Sequence, residues 1–301
     1  MKKRLIVFPH GIGDVVMLTA CLAGYKKKYQ SSIGLALVDR ITRDGFRVDG
    51  VDYYHTTMNP WHDAEDFAQG MRGVIEEAKA IGETCKYDEV DVVASNMLDQ
   101  MGGRTSQHKT EVIAKELGGV DIGQIGGVVC EPHPEAPERP YIAVHLQGGR
   151  EQKRLPESVL QSITSAYPGH VLAVLNKHTG FDFPAHSLKG HWTTPDDFTL
   201  PNTAHVIKHA RAFIGVDSGP GWIAASYKVP SVICYHDTAL NECAPVYDDV
   251  RYLVTRLSKD ATFPGFFEAH GSKVTNLKRV ADEIKGEEIT RALREVYVPQ
   301  D

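Results

Sequence analysis

The stretch from Ala212 to Tyr235 reads Ala-Phe-Ile-Gly-Val-Asp217-Ser218-Gly219-Pro220-Gly-Trp222-Ile-Ala-Ala-Ser-Tyr-Lys-Val-Pro-Ser-Val-Ile-Cys-Tyr. Phe213 to Val216 is a buried apolar run of strand length, Ser231 to Tyr235 is a second, and a sharp turn and a helix lie between them. Asp217 or Ser218 suits the helix N-cap, Gly219 lets a ligand approach the backbone, and Pro220 suits the first helical turn. A helix opening in this way presents unpaired N–H groups and a partial positive charge, which fits a phosphate. A well-capped helix in an α/β sheet has the same local pattern. Both readings stay open at this level.

Working outward, strands and helices alternate along the whole chain. Arg4 to Phe8 is an apolar strand, Pro9 to Asp14 a glycine turn, and Val15 to Tyr29 a helix with lysines at its end, where the helix dipole favours cations. Strands follow at Ile33 to Val38 and Val51 to Tyr54, a helix at Phe67 to Ile81, a strand at Glu89 to Ala94, and an amphipathic helix at His108 to Leu117 stopped by Gly118-Gly119. Four prolines between Cys130 and Pro140 exclude sheet or helix interior and mark a linker. The alternation resumes with a strand at Tyr141 to His145, a loop at Leu146 to Arg154, a helix at Pro156 to Tyr167 and a strand at Val171 to Leu175. Thr203 to Ala210 is a short helix, Tyr252 to Val254 a strand, and Leu277 to Val296 one or two charged helices. This is an α/β chain of two Rossmann-like domains with parallel sheets, divided as 1–131, a linker 132–140, 141–275, and terminal helices 276–301. In such sheets ligands bind outside the carboxyl ends of the strands. Gly11 to Asp14 and Asp217 to Gly221 both lie there, so both can face one cleft.

The chain has 301 residues and a net charge of −6, an ordinary globular composition that argues against a general nucleic-acid binder. Lys2-Lys3-Arg4 and Lys26-Lys27-Lys28 are either solvated element ends or a face toward an anionic acceptor or membrane surface. Five scattered cysteines with no Cys-x-x-Cys suggest reduced thiols and a cytoplasmic setting, and no signal peptide or membrane span is readable.

His10-Gly11-Ile12-Gly13-Asp14-Val15-Val16-Met17-Leu18-Thr19 resembles the opening motif of glycosyltransferase family 9, the ADP-heptose:lipopolysaccharide heptosyltransferases. Ile214-Gly215-Val216-Asp217-Ser218-Gly219-Pro220 resembles that family's donor-site turn, continued by Ile223-Ala224-Ala225 and Val229-Pro230. Val144-His145-Leu146-Gln147-Gly148-Gly149 and Lys153-Arg154-Leu155-Pro156 resemble the start of its second domain, and His108 to Gly118 one of its helices. These segments occur in family order over nearly the whole chain. The resemblance implies a GT-B fold with an acceptor-side first domain, a nucleotide-sugar-binding second domain, a central cleft, and last helices that pack back on the first domain. It also implies an inverting transfer that needs no metal. The chain departs from the family pattern at Trp222, where a His is usual, at Leu155 in place of Trp, and at Asn176-Lys177-His178 in place of a glycine-rich turn.

An inverting transfer needs a carboxylate to take the acceptor hydroxyl's proton, and the resemblance places that base at Asp14. On sequence alone Asp14 is equally an N-cap. Gly11 and Gly13 belong to the phosphate-side turn. Lys153 and Arg154, with Ser218, Gly219, Pro220 and the helix they open, would neutralise a departing diphosphate, and Asp217 either caps or touches the donor sugar. Trp222 is either a stacking surface or a core aromatic. His236-Asp237 lies at a strand end that suits a donor contact. His205 and His209 have a zinc-compatible spacing but no third ligand, and read as helix surface. Trp61-His62-Asp63 and Asn96 to Arg104 are loops of the first domain. The leading function is a metal-independent, inverting glycosyltransferase with no cofactor beyond its nucleotide-sugar co-substrate. Its acceptor would be a glycan, a lipopolysaccharide-like core, or less usually a modified nucleobase in DNA. The alternatives are a nucleotide-sugar epimerase or hydrolase on the same fold, and a non-catalytic sugar-nucleotide-binding module. The setting would be cytoplasmic or peripheral at the inner face of a membrane.

Overall fold

A computed structural model describes residues 2–60, 63–94, 108–138, 140–148, 153–175, 191–236, 240–255, 277–279 and 283–297. The chain divides into two units, Met1–Val129 and Cys130–Asp301.

The first unit opens with strand β1 (Lys2–Phe8), which turns at Pro9-His10-Gly11 into helix α1 (Ile12–Tyr29). There follow β2 (Ser31–Val38), the short α2 (Asp39–Arg43), β3 (Tyr53–Thr57), α3 (Phe67–Thr84), β4 (Glu89–Val92) and α4 (Lys109–Glu116). The sheet order is β3-β2-β1-β4, with every pairing parallel. Leu5 to Phe8 are fully buried, so both faces of β1 are covered, as its unbroken apolar run requires of a central parallel strand. On one face Leu5, Val7 and Ala36 pack against Val74 and Ala78 of α3.

The second unit contains β5 (Tyr141–His145), α5 (Ser158–Ala166), β6 (Val171–Val174), β7 (Trp192–Thr193), α6 (Leu200–His209) and β8 (Ala212–Val216). It continues with α7 (Gly219–Ser226), β9 (Ser231–Tyr235), α8 (Leu240–Cys243), β10 (Val250–Val254), β11 (Leu277–Arg279) and α9 (Gly286–Val296). Its parallel sheet has the order β11-β10-β9-β8-β5-β6-β7. Ile142, Val144, Ile214, Val216 and Val232 form its core with Val159 and Ile163 of α5 and Ile289 and Leu293 of α9.

Both sheets reverse their winding direction beside their first strand. In the first unit the chain steps from β1 to β2 and β3, then returns to place β4 on the other side of β1. In the second it steps from β5 to β6 and β7, then returns to place β8 on the other side of β5. Outside the carboxyl ends at such a switch point the crossovers diverge and leave a crevice. The crevices therefore open beside β1/β4 and beside β5/β8.

Several boundaries differ from expectation for identifiable reasons. Leu277–Arg279 is an edge strand rather than the start of a helix, because Leu277 to Arg279 pair in parallel with Tyr252 to Val254. Helix α6 starts at Leu200 rather than Thr203, since Thr199 and Asn202 form a capping box and Pro201 fits the first turn. The proline-rich stretch is tied to the second unit at its start: Glu131 N–H donates to Pro201 C=O at 3.1 Å, and Asn202 Nδ2 donates to Glu131 C=O at 3.0 Å. Helix α9 finds its apolar partners within the second unit, on α5.

Helix α1 passes so close to the segment after α4 that a Cβ on Gly24 would lie 2.3 Å from the Asp121 carbonyl oxygen. Backbone cannot yield there as a side chain would. Gly24→Ala should therefore destabilise the first unit by about 1–3 kcal/mol, the usual cost of overpacking. A urea midpoint equal to wild type would contradict this close approach.

Candidate active site

In the second unit the site is built where β5 and β8 end side by side. His145, the last residue of β5, is buried, and its Nδ1 lies 3.1 Å from Ser218 Oγ, which also donates to Val216 C=O at 3.1 Å. Ser218 is the N-cap residue of α7 by position, yet its side chain makes no cap hydrogen bond. Asp217 does not cap the helix either. Its Oδ2 pairs with Lys153 Nζ at 2.5 Å, and its Oδ1 accepts weakly from Cys243 Sγ at 3.8 Å. Both partners of the Lys153–Asp217 pair are mostly withdrawn from solvent, with side chains 18% and 11% exposed. Of the two expected N-cap candidates, Ser218 holds the position, but without a side-chain cap bond: an ion pair takes the Asp217 carboxylate and His145 meets the Ser218 hydroxyl. Pro220 lacks an N–H, and Gly221 N–H reaches back only to Ser218 C=O at 3.2 Å. The opening turn of α7 has no side chain over it from its own cap residue.

Gly148 has a local reason. A Cβ there would lie 2.8 Å from Lys153 Cβ and Cδ, so only glycine lets the lysine stem cross to Asp217. Its neighbour Arg154 is exposed, while Leu155 is in the core and donates its N–H to Leu146 C=O at 2.8 Å. Of these two adjacent cations, Lys153 is turned inward and Arg154 outward.

In the first unit the turn after β1 is the matching place. The N-cap of α1 is Gly11, so Asp14 is the third helical residue and not a cap. Its carboxylate stays in the first turn, where the helix dipole favours it. Asp14 Oδ1 pairs with Lys109 Nζ at 3.2 Å, with side chains 19% and 17% exposed. Beside it His10 is buried, and its Nε2 lies 3.0 Å from the Val93 carbonyl at the end of β4. A carbonyl only accepts, so Nε2 carries the proton. Burial holds this imidazole below its usual pKa, against an opposing pull from Asp14. Gly11 and Gly13 flank this carboxylate, and a Cβ on Gly11 would sit 3.8 Å from Asp14 Oδ2.

Other expectations are placed differently. Trp222 is buried and donates its indole N–H to Cys243 C=O at 3.2 Å, so it anchors α8, the helix whose Cys243 thiol reaches Asp217. His236 ends the segment after β9, and its carbonyl accepts from Thr255 Oγ1 at 3.1 Å. His209 Nδ1 meets His205 C=O at 2.9 Å, and no trio of metal-binding side chains occurs among the described residues. Arg4 is not available to a membrane or any acceptor: its side chain is buried, bonded to Tyr25, Asp91 and Glu89, and stacked 3.9 Å from the Tyr29 ring centroid. Lys26 and Lys27 pair with Asp52 and Asp121 at 3.2 Å, and Lys28 donates to Gly118 C=O. Lys3 lies over the Tyr53 ring at 4.9 Å, and Lys2 is exposed. Trp61, His62, Asn96 to Arg104, Gly149, Asn176 to His178 and Asp237 lie outside the described residues.

Three groups escaped the sequence reading. His145 was legible as the last residue of a predicted strand, but its place beside the key turn follows only from the pairing of β5 with β8. Lys109 carried a signal of its own, since a cation in the first turn of a helix opposes the dipole and calls for a partner. Cys243 left none.

The two-sheet parallel architecture is that of GT-B glycosyltransferases. The sequence model of glycosyltransferase family 9 (heptosyltransferase) matches residues 197–264. A family 9 glycosyltransferase from Veillonella parvula shares 16% identity over 98% of this chain and 97% of its own, at a TM-score of 0.69. The ADP-heptose lipopolysaccharide heptosyltransferase II of E. coli shares 14% identity over 98% of each chain, at 0.63. The E. coli heptosyltransferase WaaC with ADP shares 14% over 97% of this chain and 99% of its own, at 0.60. No curated protein matches the chain in sequence. Identities this low speak for the fold, and the family match falls on the α6–β8–α7–β9 segment that carries Asp217 and Ser218. At that level the expected likeness to family 9, the GT-B class and the glycosyltransferase type are borne out.

Because the folded state holds His10 below the 6.5 of a free histidine, the unfolded chain binds the proton first as pH falls. Stability is retained above about 6.5 and lost below it, by at most about 1.4 kcal/mol per pH unit from one histidine. Urea unfolding at pH 7.5 and 5.5 should show a larger loss for wild type than for His10→Gln. Equal losses would place the dependence on His55, His191 and His205, whose pKa values are lowered in the same direction.

Proposed function

We propose that the protein transfers a sugar from a nucleotide-diphosphate sugar to an acceptor hydroxyl with inversion, without a metal ion. The observation that carries this reading is the Lys153–Asp217 pair at the opening of α7 and at the β5/β8 switch point, with Asp217 inside the segment that matches family 9. A lysine beside a helix N-terminus is a prepared seat for phosphate oxygens. When the diphosphate enters, Lys153 would exchange the Asp217 carboxylate for phosphate oxygens, and Asp217 would be released to accept from a sugar hydroxyl.

In the transfer step the acceptor oxygen attacks the anomeric carbon from the face opposite the diphosphate and gives its proton to Asp14. The bond between the anomeric carbon and the phosphate oxygen breaks, and the diphosphate departs with that electron pair. The charge that develops on it would meet Lys153 and the α7 N-terminus, already in place before reaction. His145 would hold Ser218 at the turn through its Nδ1. Trp222 would act at one remove, through α8 and Cys243, rather than by stacking on the donor.

The second unit would therefore bind the donor and the first would supply the base. ADP-sugars are the first donors to try, because ADP and ADP-heptose accompany the similar heptosyltransferases. The acceptor would be a glycan or a lipopolysaccharide-like core, with a modified nucleobase in DNA the less usual choice. No helix among the described residues is long and apolar enough to cross a membrane. The five scattered cysteines without a Cys-x-x-Cys support a cytoplasmic setting. Of the basic residues offered for peripheral contact, Lys2, Lys27 and Lys28 are exposed; Lys27 is ion-paired and Lys28 donates to the Gly118 carbonyl.

Asp14→Asn should lower transfer by about 10²–10⁴-fold, the usual worth of a positioned base, while ADP affinity is kept. Lys153→Met should weaken ADP and leave adenosine unchanged. Full transfer by Asp14→Asn would remove the base assignment, and equal loss of ADP and adenosine would remove the phosphate role of Lys153. Activity that vanishes in chelator and returns with a divalent ion would overturn the metal-free step.

A further inference from the structure

We propose that Lys109 is the positioning residue of Asp14: it holds the carboxylate ionised and fixes the orientation of its Oδ1. This rests on the reading of Asp14 as the base. The two residues lie 95 positions apart in sequence and meet because α4 packs its start against the start of α1.

The placement of Lys109 is electrostatically unfavourable on its own. It is the first residue of α4, where the free N–H groups of an eight-residue helix already give a positive end. The helix start is fixed there without Lys109. His108 is fully buried as the N-cap, its Nδ1 accepts from Thr110 N–H at 3.2 Å, and Glu111 returns a bond to the His108 N–H at 3.2 Å. A neutral residue at 109 would serve that capping box equally well. The cation's compensation is Asp14, at 3.2 Å and largely withdrawn from water.

Among the described residues, three elements bring groups toward the carboxylate. Its own helix contributes the α1 N-terminus, α4 contributes Lys109, and the β1–α1 turn contributes His10. His108 is engaged through Nδ1 as an acceptor and carries no charge from that nitrogen. His10 is kept neutral by burial, so it adds no cation near neutral pH. Lys109 is therefore the full charge, among the described residues, that pairs with Asp14. An aspartate in this setting stays ionised in mild acid, and each proton it accepts must be won against the lysine. The consequence for catalysis is a base that is weaker but always ready, with its orientation set before the acceptor arrives.

The full-length protein labelled with [γ-¹³C]aspartate can be titrated by NMR, with Asp14 assigned through Asp14→Asn. In Lys109→Gln the Asp14 midpoint should rise by roughly 1 pH unit or more, and Lys109→Arg should restore it toward wild type. In the transfer assay the acidic limb of kcat/KM should move upward with the same variant while ADP affinity is unchanged. An unmoved Asp14 midpoint in folded Lys109→Gln overturns the proposal. Should that variant fail to fold, the reciprocal measurement decides: the Lys109 ammonium should titrate lower in Asp14→Asn than in wild type, and an equal midpoint overturns it. If the midpoints shift as expected while Asp14→Asn still transfers sugar, the pair stands and the base assignment falls.

Discussion

A partly buried carboxylate paired to a lysine, at the opening of a helix that follows a parallel strand, occurs in each unit and sets what surrounds it. Lys153–Asp217 is the tighter of the two. Removing such charges from water costs roughly what their attraction returns, so stability alone gives little reason to keep the pair. What it provides is position. The lysine reaches Asp217 only because Gly148 clears its stem, and the second carboxylate oxygen is met by Cys243 on a helix pinned by Trp222. Loss of either charge would leave the other desolvated; under the proposed function an incoming diphosphate would replace the carboxylate at Lys153 and keep the lysine paired.

The fold explains why these groups are where they are. A parallel strand needs a crossover, and its carboxyl end delivers the chain to a helix N-terminus whose N–H groups lack partners. Where the winding reverses, two such ends lie adjacent with their crossovers on opposite faces. His145 and Ser218 meet across the β5/β8 reversal, and His10 meets Val93 across the β1/β4 reversal. The same backbone arrangement thus yields an anion-attracting turn twice; in the first unit it carries a held carboxylate, and in the second it is the turn we propose as the phosphate seat.

Much of this was legible in the sequence where the signal is local. Apolar runs fixed the strands Tyr141–His145 and Ser231–Tyr235, and Ser218-Gly219-Pro220 marked the opening of a helix. Contacts distant in sequence were not legible. Arg4 reads as part of a basic run, yet it is enclosed by Tyr25 and Asp91, 21 and 87 residues away. Lys109 stands out in sequence only as a cation in a first helical turn, and nothing local says that its partner is Asp14. Leu277–Arg279 has no strand pattern in three residues, and only its pairing with β10 makes it one. Capping was legible in position and not in bonding: Ser218 is the N-cap residue, while partners from another strand and another loop meet the Ser218 and Asp217 side chains.

The central claim is that Lys153 and the opening turn of α7 receive the diphosphate of the donor. A crystal structure of the protein with ADP tests it most directly. The account predicts a phosphate oxygen within hydrogen-bond distance of Lys153 Nζ and of the backbone N–H groups at Gly219 to Trp222, with the Lys153–Asp217 contact opened. ADP bound with its phosphates away from that turn, and the ion pair intact, would contradict it.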